Sequence, residues 1–377
     1  MNREGTTFAQ EVRGAVTVRA ALLVTGVLAL QMLFIASYIG ALHSPRAKDV
    51  KVAVVAPQQI ADQFAAELRK LPGSPFDPRT LTDEATARRQ MLDRDIDAAL
   101  VVDPRSARDT LLVASGQGAT ETQVLVRIFG QIERQQQRSL AVDDVAPASG
   151  SDAEGLSSFY LVVGWCVGGY LCAAILAISA GSRPANGRRA VIRLVVTGLY
   201  AVLSGLLGAV IAGPILGALP GSVVGLWGLG ALTVFAVGAA TLALQAVFGI
   251  VGIGLAILLI VVAGNPSAGG AFPLPLLPDF WRSIGPALPP GAGTWVARSI
   301  AYFHGNAVTG PLLVLSAWAV VGTALTMAMA VLRGRGRGPG RAPDEHTRPD
   351  APDTPDEPAA PGSSSVPGSP GGASAGP

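Results

Sequence analysis

At 377 residues, 50% of them hydrophobic and only 14% charged, the chain is too apolar for a soluble protein of its size, and the excess apolar surface is expected to face lipid. A formal net charge of +2 is too small for a polyanion-binding surface, which excludes nucleic acid as a partner. The two cysteines, Cys166 and Cys172, fall in one apolar stretch and fit neither a secreted disulfide framework nor a soluble zinc site.

Residues 1–19 carry Arg13 and Arg19 ahead of the first apolar run, as a cytoplasmic N-terminus would. The run Ala20–Leu42 is broken only by Gln31 and by hydroxyl and glycine positions. At ~1.5 Å per residue it covers roughly 34 Å, enough to cross a hydrocarbon core and longer than the roughly 7–15 residues of a signal-peptide core, so a retained transmembrane helix is expected.

Residues 43–158 change character, and 46–154 read as a soluble α/β domain. Val50–Val55 predicts a strand, and 58–71 a helix with Ile60, Phe64, Ala65 and Leu68 on one face. Thr82 is expected to cap the next helix, with Asp83 and Glu84 in its first turn. Residues 98–102 and 110–114 predict two more strands, connected through Pro104 and Arg105. A helix over 119–138, with Val124, Leu125, Ile128, Phe129 and Ile132 on one face, is expected to lead back toward the membrane.

Five further spans are predicted at 159–180, 191–216, 223–245, 246–264 and 309–332, forming a transmembrane domain over 159–332. No Asp, Glu, Lys or Arg occurs between Arg193 and Asp279. Pro220-Gly221 makes a tight turn between the third and fourth spans, and the fourth meets the fifth near Gln245. Gly164, Gly168 and Gly169, with Gly249, Gly252 and Gly254, are expected to let helices approach closely.

The loop 265–308 is the most distinctive stretch. Asn265-Pro266 is expected to end the fifth span, and Gly269-Gly270 to permit a sharp turn. Phe280, Trp281, Trp295, Tyr302 and Phe303 supply aromatic rings suited to a headgroup-level belt, expected either as simple interfacial anchors or as part of a pair of short half-dipping helices that close the outer mouth of a translocation path. The tail over 333–377, rich in Pro, Gly, Ser, Ala and Asp, cannot bury enough surface to fold.

Arginines set the orientation: Arg183, Arg188, Arg189 and Arg193 lie between spans two and three, and Arg333, Arg335, Arg337 and Arg341 follow span six. The expected fold is therefore an α-helical integral membrane protein of six transmembrane helices, one plus five, in the plasma membrane. An extracytoplasmic α/β domain lies between helices 1 and 2, and both termini are cytoplasmic.

The sequence assigns no catalytic, cofactor-binding or metal residue. Without ionisable groups at mid-membrane depth, a proton relay through the bundle is not expected. No P-loop is present, and the three lysines, Lys48, Lys51 and Lys70, all fall in the α/β domain. His43 and His304 are isolated and His346 is in the tail, so no metal site is expected. Asp93, Asp95 and Asp97 read as a solvated helix end before a strand, and no nucleophile, base and orienter assemble into an enzyme.

The one-plus-five layout, the domain after span one, and the segment from Asn265-Pro266-Ser267 to Gly270 with Leu288-Pro289-Pro290-Gly291 and Arg298 downstream resemble the type-2 ABC exporter permease family. The resemblance is strongest to its phage-infection-protein-like branch. It covers roughly residues 10–332. It implies a permease subunit that forms a homodimer or heterodimer and is driven by a separate cytoplasmic ATPase, with 7–19 as an elbow helix and 182–193 containing the ATPase-contacting loop. The expected cargo is an amphipathic or lipid-like molecule, or a polymer. The alternative is a non-transporting scaffold, secretion accessory or surface receptor acting through the ectodomain.

Overall fold

The structure, a computed structural model, describes residues 17–181, 184 and 186–336. The expected elbow helix over 7–19 and the tail over 333–377 lie outside these residues, except that 17–19 cap and begin the first helix and 333–336 end the last.

Among the described residues, five helices are long and apolar enough to cross a membrane: Ala20–Leu42, Ser157–Ala180, Gly187–Ile215, Val223–Phe248 and Thr309–Gly334. They belong to α1 (Val18–Leu42), α5 (Ser157–Ala180), α6 (Gly187–Val210, extended by a wide turn Ile211–Ile215), α7 (Val223–Phe248) and α11 (Thr309–Gly336). The stretch expected as the fifth span is a shorter apolar helix, Val251–Ser267, built from α8 (Val251–Ile257), a wide-turned segment Leu258–Gly264 and a final turn Asn265–Ser267.

Two expected boundaries move. Gln245 does not end the fourth span: α7 runs to Phe248 and is closed by Gly249, whose φ of 68° is the left-handed geometry of a helix terminator. Gln245 is instead fully buried and donates to Ala173 O at 3.2 Å, tying α7 to α5. Asn265-Pro266 likewise does not stop its helix, which continues to Ser267. A proline lacks the N–H for an i→i−4 bond and its ring crowds the carbonyl four residues back, and the i→i+5 turns just before Pro266 widen the helix enough to admit it. The same device surrounds Pro214, where Leu216 N donates to Ile211 O at 3.0 Å.

Helix α7 is the central rod, packed against α5, α6 and α11, whereas α1 leans mainly on 258–267 and leaves most of its apolar surface exposed. Of the glycines expected at close approaches, Gly169 and Gly252 make them against backbone, a Cβ there lying 2.7 Å from Val234 O and 2.4 Å from Leu244 O, while Gly164 and Gly254 face open space. At one end of the bundle Arg193 donates to Ala180 O and Gly181 O at 2.9 and 2.6 Å, and Arg333 donates to Ala246 O. Both place a cation where helix carbonyls are unpaired.

Between α1 and α5 lies a five-stranded sheet of order β2-β1-β3-β4-β5, formed by Phe76–Leu81, Val50–Val55, Ala98–Val101, Arg108–Val113 and Ser139–Asp144. All neighbours are parallel except β3 and β4. The sequence predicts the three central strands and misses both edges. Pro78 interrupts β2 and has no N–H for a ladder, a residue that only an edge strand tolerates, and β5 is half-exposed and ends in two aspartates. Because β5 follows α4 (Ala119–Gln135), that helix does not lead directly back toward the helices, as expected, but into one more strand.

Helix α2 (Gln58–Arg69) and α4 cover one face of the sheet, burying Phe64, Leu68, Leu125 and Phe129 on Val52, Val54, Leu100 and Leu111. Helix α3 (Glu84–Leu92) covers the other. Its cap is Asp83 rather than Thr82: the carboxylate accepts Thr86 N–H at 2.7 Å, which holds its pKa below the usual range. On the α3 face, Val55, Met91 and Leu112 join one apolar core with Val296, Tyr302 and Phe303, so the sheet domain is seated on the segment between α8 and α11.

Candidate functional site

That segment contains α9 (Asp279–Ile284) and α10 (Pro289–Tyr302). Pro289 and Pro290 occupy the first turn of α10, where a missing N–H costs no hydrogen bond and the fixed φ favours the helix. Backbones then meet without side chains between them: a Cβ on Gly285 would lie 1.9 Å from Ser267 O, and one on Gly291 would lie 2.1 Å from Gly285 O. The turn 265–267, the turn 285–287 and α10 are thereby stacked directly, which aims one face of α10 at the sheet domain.

Arg298, 4% exposed, donates to Gly269 O at 2.7 Å, Gly270 O at 2.9 Å and Gly155 O at 3.2 Å, fastening the turn after Ser267 to the chain entering α5. One turn on, the buried Tyr302 hydroxyl donates to Asp152 Oδ2 at 2.7 Å, and Asp152 Oδ1 accepts Ser157 N–H at 2.8 Å.

The sheet domain answers with Arg94, 7% exposed, at a left-handed φ of 62° just after α3. Its guanidinium lies over the Trp295 ring, 3.4 Å from the centroid, and donates to Trp295 O at 2.9 Å, Ser299 Oγ at 2.8 Å and Gln117 Oε1 at 3.3 Å. Gln117 passes the polarity on, donating from Nε2 to Asp97 Oδ1 at 3.2 Å, while Asp97 Oδ2 accepts Lys51 N–H at 2.9 Å. Glu121, in the first turn of α4, is buried beside them, with Oε1 unpaired.

Around the rim, Lys48 meets Asp279 at 2.6 Å and Arg282 meets Asp49 at 3.1 Å. Elsewhere on the junction, Asn306 Nδ2 donates to Asp93 Oδ1 at 2.9 Å.

Between the sheet domain and the segment 268–311 lies a half-open cavity of about 660 Å³. Lys51, Arg94, Asp97, Gln117 and Arg298 give it a charged end; Leu274, Pro275, Pro286, Ala292 and Pro311 give it an apolar wall. Burial pushes Arg94 down to about 9, with the nearby Arg298 adding to the fall, and burial pushes Arg298 down to about 10, so both stay charged at neutral pH. Burial, reinforced by the Asp97 charge, pushes Glu121 up to about 8, which leaves it protonated there; Asp97 is raised by burial too. The charged end is thus cationic inside a low-dielectric wall, an arrangement that binds and orients a molecule with a polar head and an apolar body.

Several expectations change here. Of the expected solvated helix end, Asp93 and Asp95 are exposed, Asp93 as the C-cap of α3 with a hydrogen bond from Asn306, whereas Asp97 is half-buried and lines the cavity. The aromatic belt divides. Phe280 is 62% exposed, but Tyr302 and Phe303 are buried, because Asp152 satisfies the Tyr302 hydroxyl and the sheet domain covers both rings. Trp295 is partly covered by Arg94, and its indole N–H is satisfied by Ala307 O at 2.9 Å. Arg94, Gln117 and Glu121 carry no sequence signal as a group, since 23 residues separate Arg94 from Gln117 and the fold alone joins them. Among the described residues no group of three or more His, Cys, Asp or Glu could hold a metal ion. No family model, no curated protein and no solved structure matches the chain.

Proposed function

We propose that this protein is the permease subunit of an ABC-type exporter for an amphipathic or lipid-like substrate or a polymer, acting as a homodimer or heterodimer with a separate cytoplasmic ATPase. In this reading six helices cross the plasma membrane, with Val251–Ser267 as the short fifth. The sheet domain stands outside the cell membrane and both termini are inside. The observation that carries the reading is the cavity, charged at the sheet-domain end and apolar along 274–311, which suits a molecule with a polar head and an apolar body. Arg193 and Arg333 support the orientation: arginines from both clusters cap helix ends at one end of the bundle, as cytoplasmic arginines would. The absence of charge between Arg193 and Asp279 favours an external motor over an internal proton path. The test is affinity purification of the full chain from native membranes: recovery of a nucleotide-binding subunit, with ATP hydrolysis that rises on co-reconstitution, is expected, and purification without one would overturn the reading.

A second reading, a non-transporting scaffold, secretion accessory or surface receptor, is favoured by the way the sheet domain is fastened to 275–306 by direct bonds on both sides of the cavity. Such a domain receives a ligand without a motor. Deleting 50–138 would then abolish function while leaving the helices inserted.

A further inference from the structure

Two buried cations in the cavity make no ion pair among the described residues. Arg94 and Arg298 both line it, and both are less than a tenth exposed. Their bonds go to neutral acceptors, which are carbonyls, the Ser299 hydroxyl and the Gln117 amide. The Nε–H of each has no hydrogen-bond partner among the described residues. Lys51, exposed on β1, adds a third cation at the same end.

The two carboxylates that line the cavity do not balance its cations. Asp49 is engaged by Arg282, and Asp97, which accepts Lys51 N–H and the Gln117 amide, is one carboxylate against Lys51, Arg94 and Arg298. Burying a guanidinium without a directly paired anion is costly, and the cost is offset when an anion enters to pair with it. From the charged end, the apolar wall of Leu274, Pro275, Pro286 and Pro311 continues for the body of a chain-like molecule.

We infer that the cavity binds an amphiphile through an acidic head, a phosphate or carboxylate, held by Arg94, Arg298 and Lys51, with its apolar chain against Leu274 and the prolines 275, 286 and 311. This rests on the export reading only for the direction in which the molecule moves; the binding chemistry belongs to the cavity itself.

The test uses the full chain in phosphatidylcholine nanodiscs, with radiolabelled dodecyl phosphate as probe and empty nanodiscs as blank. Saturable binding above the blank is expected. Unlabelled dodecanol, which lacks the charge, and inorganic phosphate, which lacks the chain, should each compete at least about tenfold less well than dodecyl phosphate. Lys51→Gln, at an exposed position that does not threaten folding, should weaken binding about fivefold, and Arg94→Gln by about tenfold or more. Absence of saturable binding, equal competition by dodecanol, equal competition by inorganic phosphate, or unchanged binding in Lys51→Gln would each overturn the inference. Binding without any co-purifying ATPase would sink the export reading and leave this one standing; a coupled ATPase without binding would do the reverse.

Discussion

Arg94 lies over Trp295, its guanidinium carbon 3.4 Å from the ring centroid, and also donates to the carbonyl of the same residue. One residue of the sheet domain thereby grips both the side chain and the backbone of α10. A desolvated cation–π contact contributes about 2 kcal/mol, and the loss of Arg94 would also strand Ser299 and Gln117. Arg94→Met should therefore destabilise the protein by about 2–4 kcal/mol. The effect is read as a lowered thermal midpoint and as faster proteolysis between the sheet domain and α10.

Arg298 predicts a different signature. Its three carbonyl acceptors sit on two chain segments, and a lysine cannot span them with one ammonium. Arg298→Lys should loosen the turn at Gly269-Gly270 at a cost of about 2 kcal/mol or more. Hydrogen exchange should rise over 268–272 while the rest of the bundle keeps its protection.

The backbone stacking around Gly285 makes a sharper prediction. A methyl group there would lie 1.9 Å from Ser267 O, and no side chain stands in between to yield. Gly285→Ala should prevent accumulation of folded protein or lower its thermal midpoint by about 5 °C or more. Gly254→Ala, where nothing lies within 4 Å, is the matched control and should behave as the parent chain.

The sheet domain carries its own pH response, away from the cavity. Glu133 is buried beside the buried Asp109, with Arg138 bonded to that aspartate at 2.6 Å. Burial, then the neighbouring Asp109 carboxylate, push Glu133 up to about 7, against the pull of Arg138. Since the folded value exceeds the ordinary 4.5, its contribution to stability is complete below 4.5 and is lost as pH rises through about 7. Glu133→Gln should raise the thermal midpoint by a few degrees near pH 8.5 and change it little near pH 5, by the same linkage. Equal shifts at both values would contradict this.

Much of the fold is legible because it follows from period and composition. The central strands β1, β3 and β4 are written as short, nearly continuous apolar runs and the buried faces of α2 and α4 as 3.6-residue spacing. The long apolar helices follow from length alone. What is not legible depends on neighbours. Pro78 argues against a strand until the strand is known to be an edge, and Pro266 argues for a helix end until the wide turns before it are seen. The cavity is least legible of all: Arg298 stands out beside the Pro-Pro-Gly turn, but Arg94, at a left-handed φ that an arginine rarely adopts, acquires its meaning only from Trp295, 201 residues away.

The account depends most on which side of the membrane the sheet domain occupies. Single cysteines at Glu67, exposed on α2, and at Arg189, exposed at the start of α6, placed in a chain whose Cys166 and Cys172 are serine, report this directly. With a membrane-impermeant maleimide on intact cells, Glu67→Cys should label and Arg189→Cys should label only after permeabilisation. Labelling of Arg189→Cys in intact cells with Glu67→Cys protected would contradict the account.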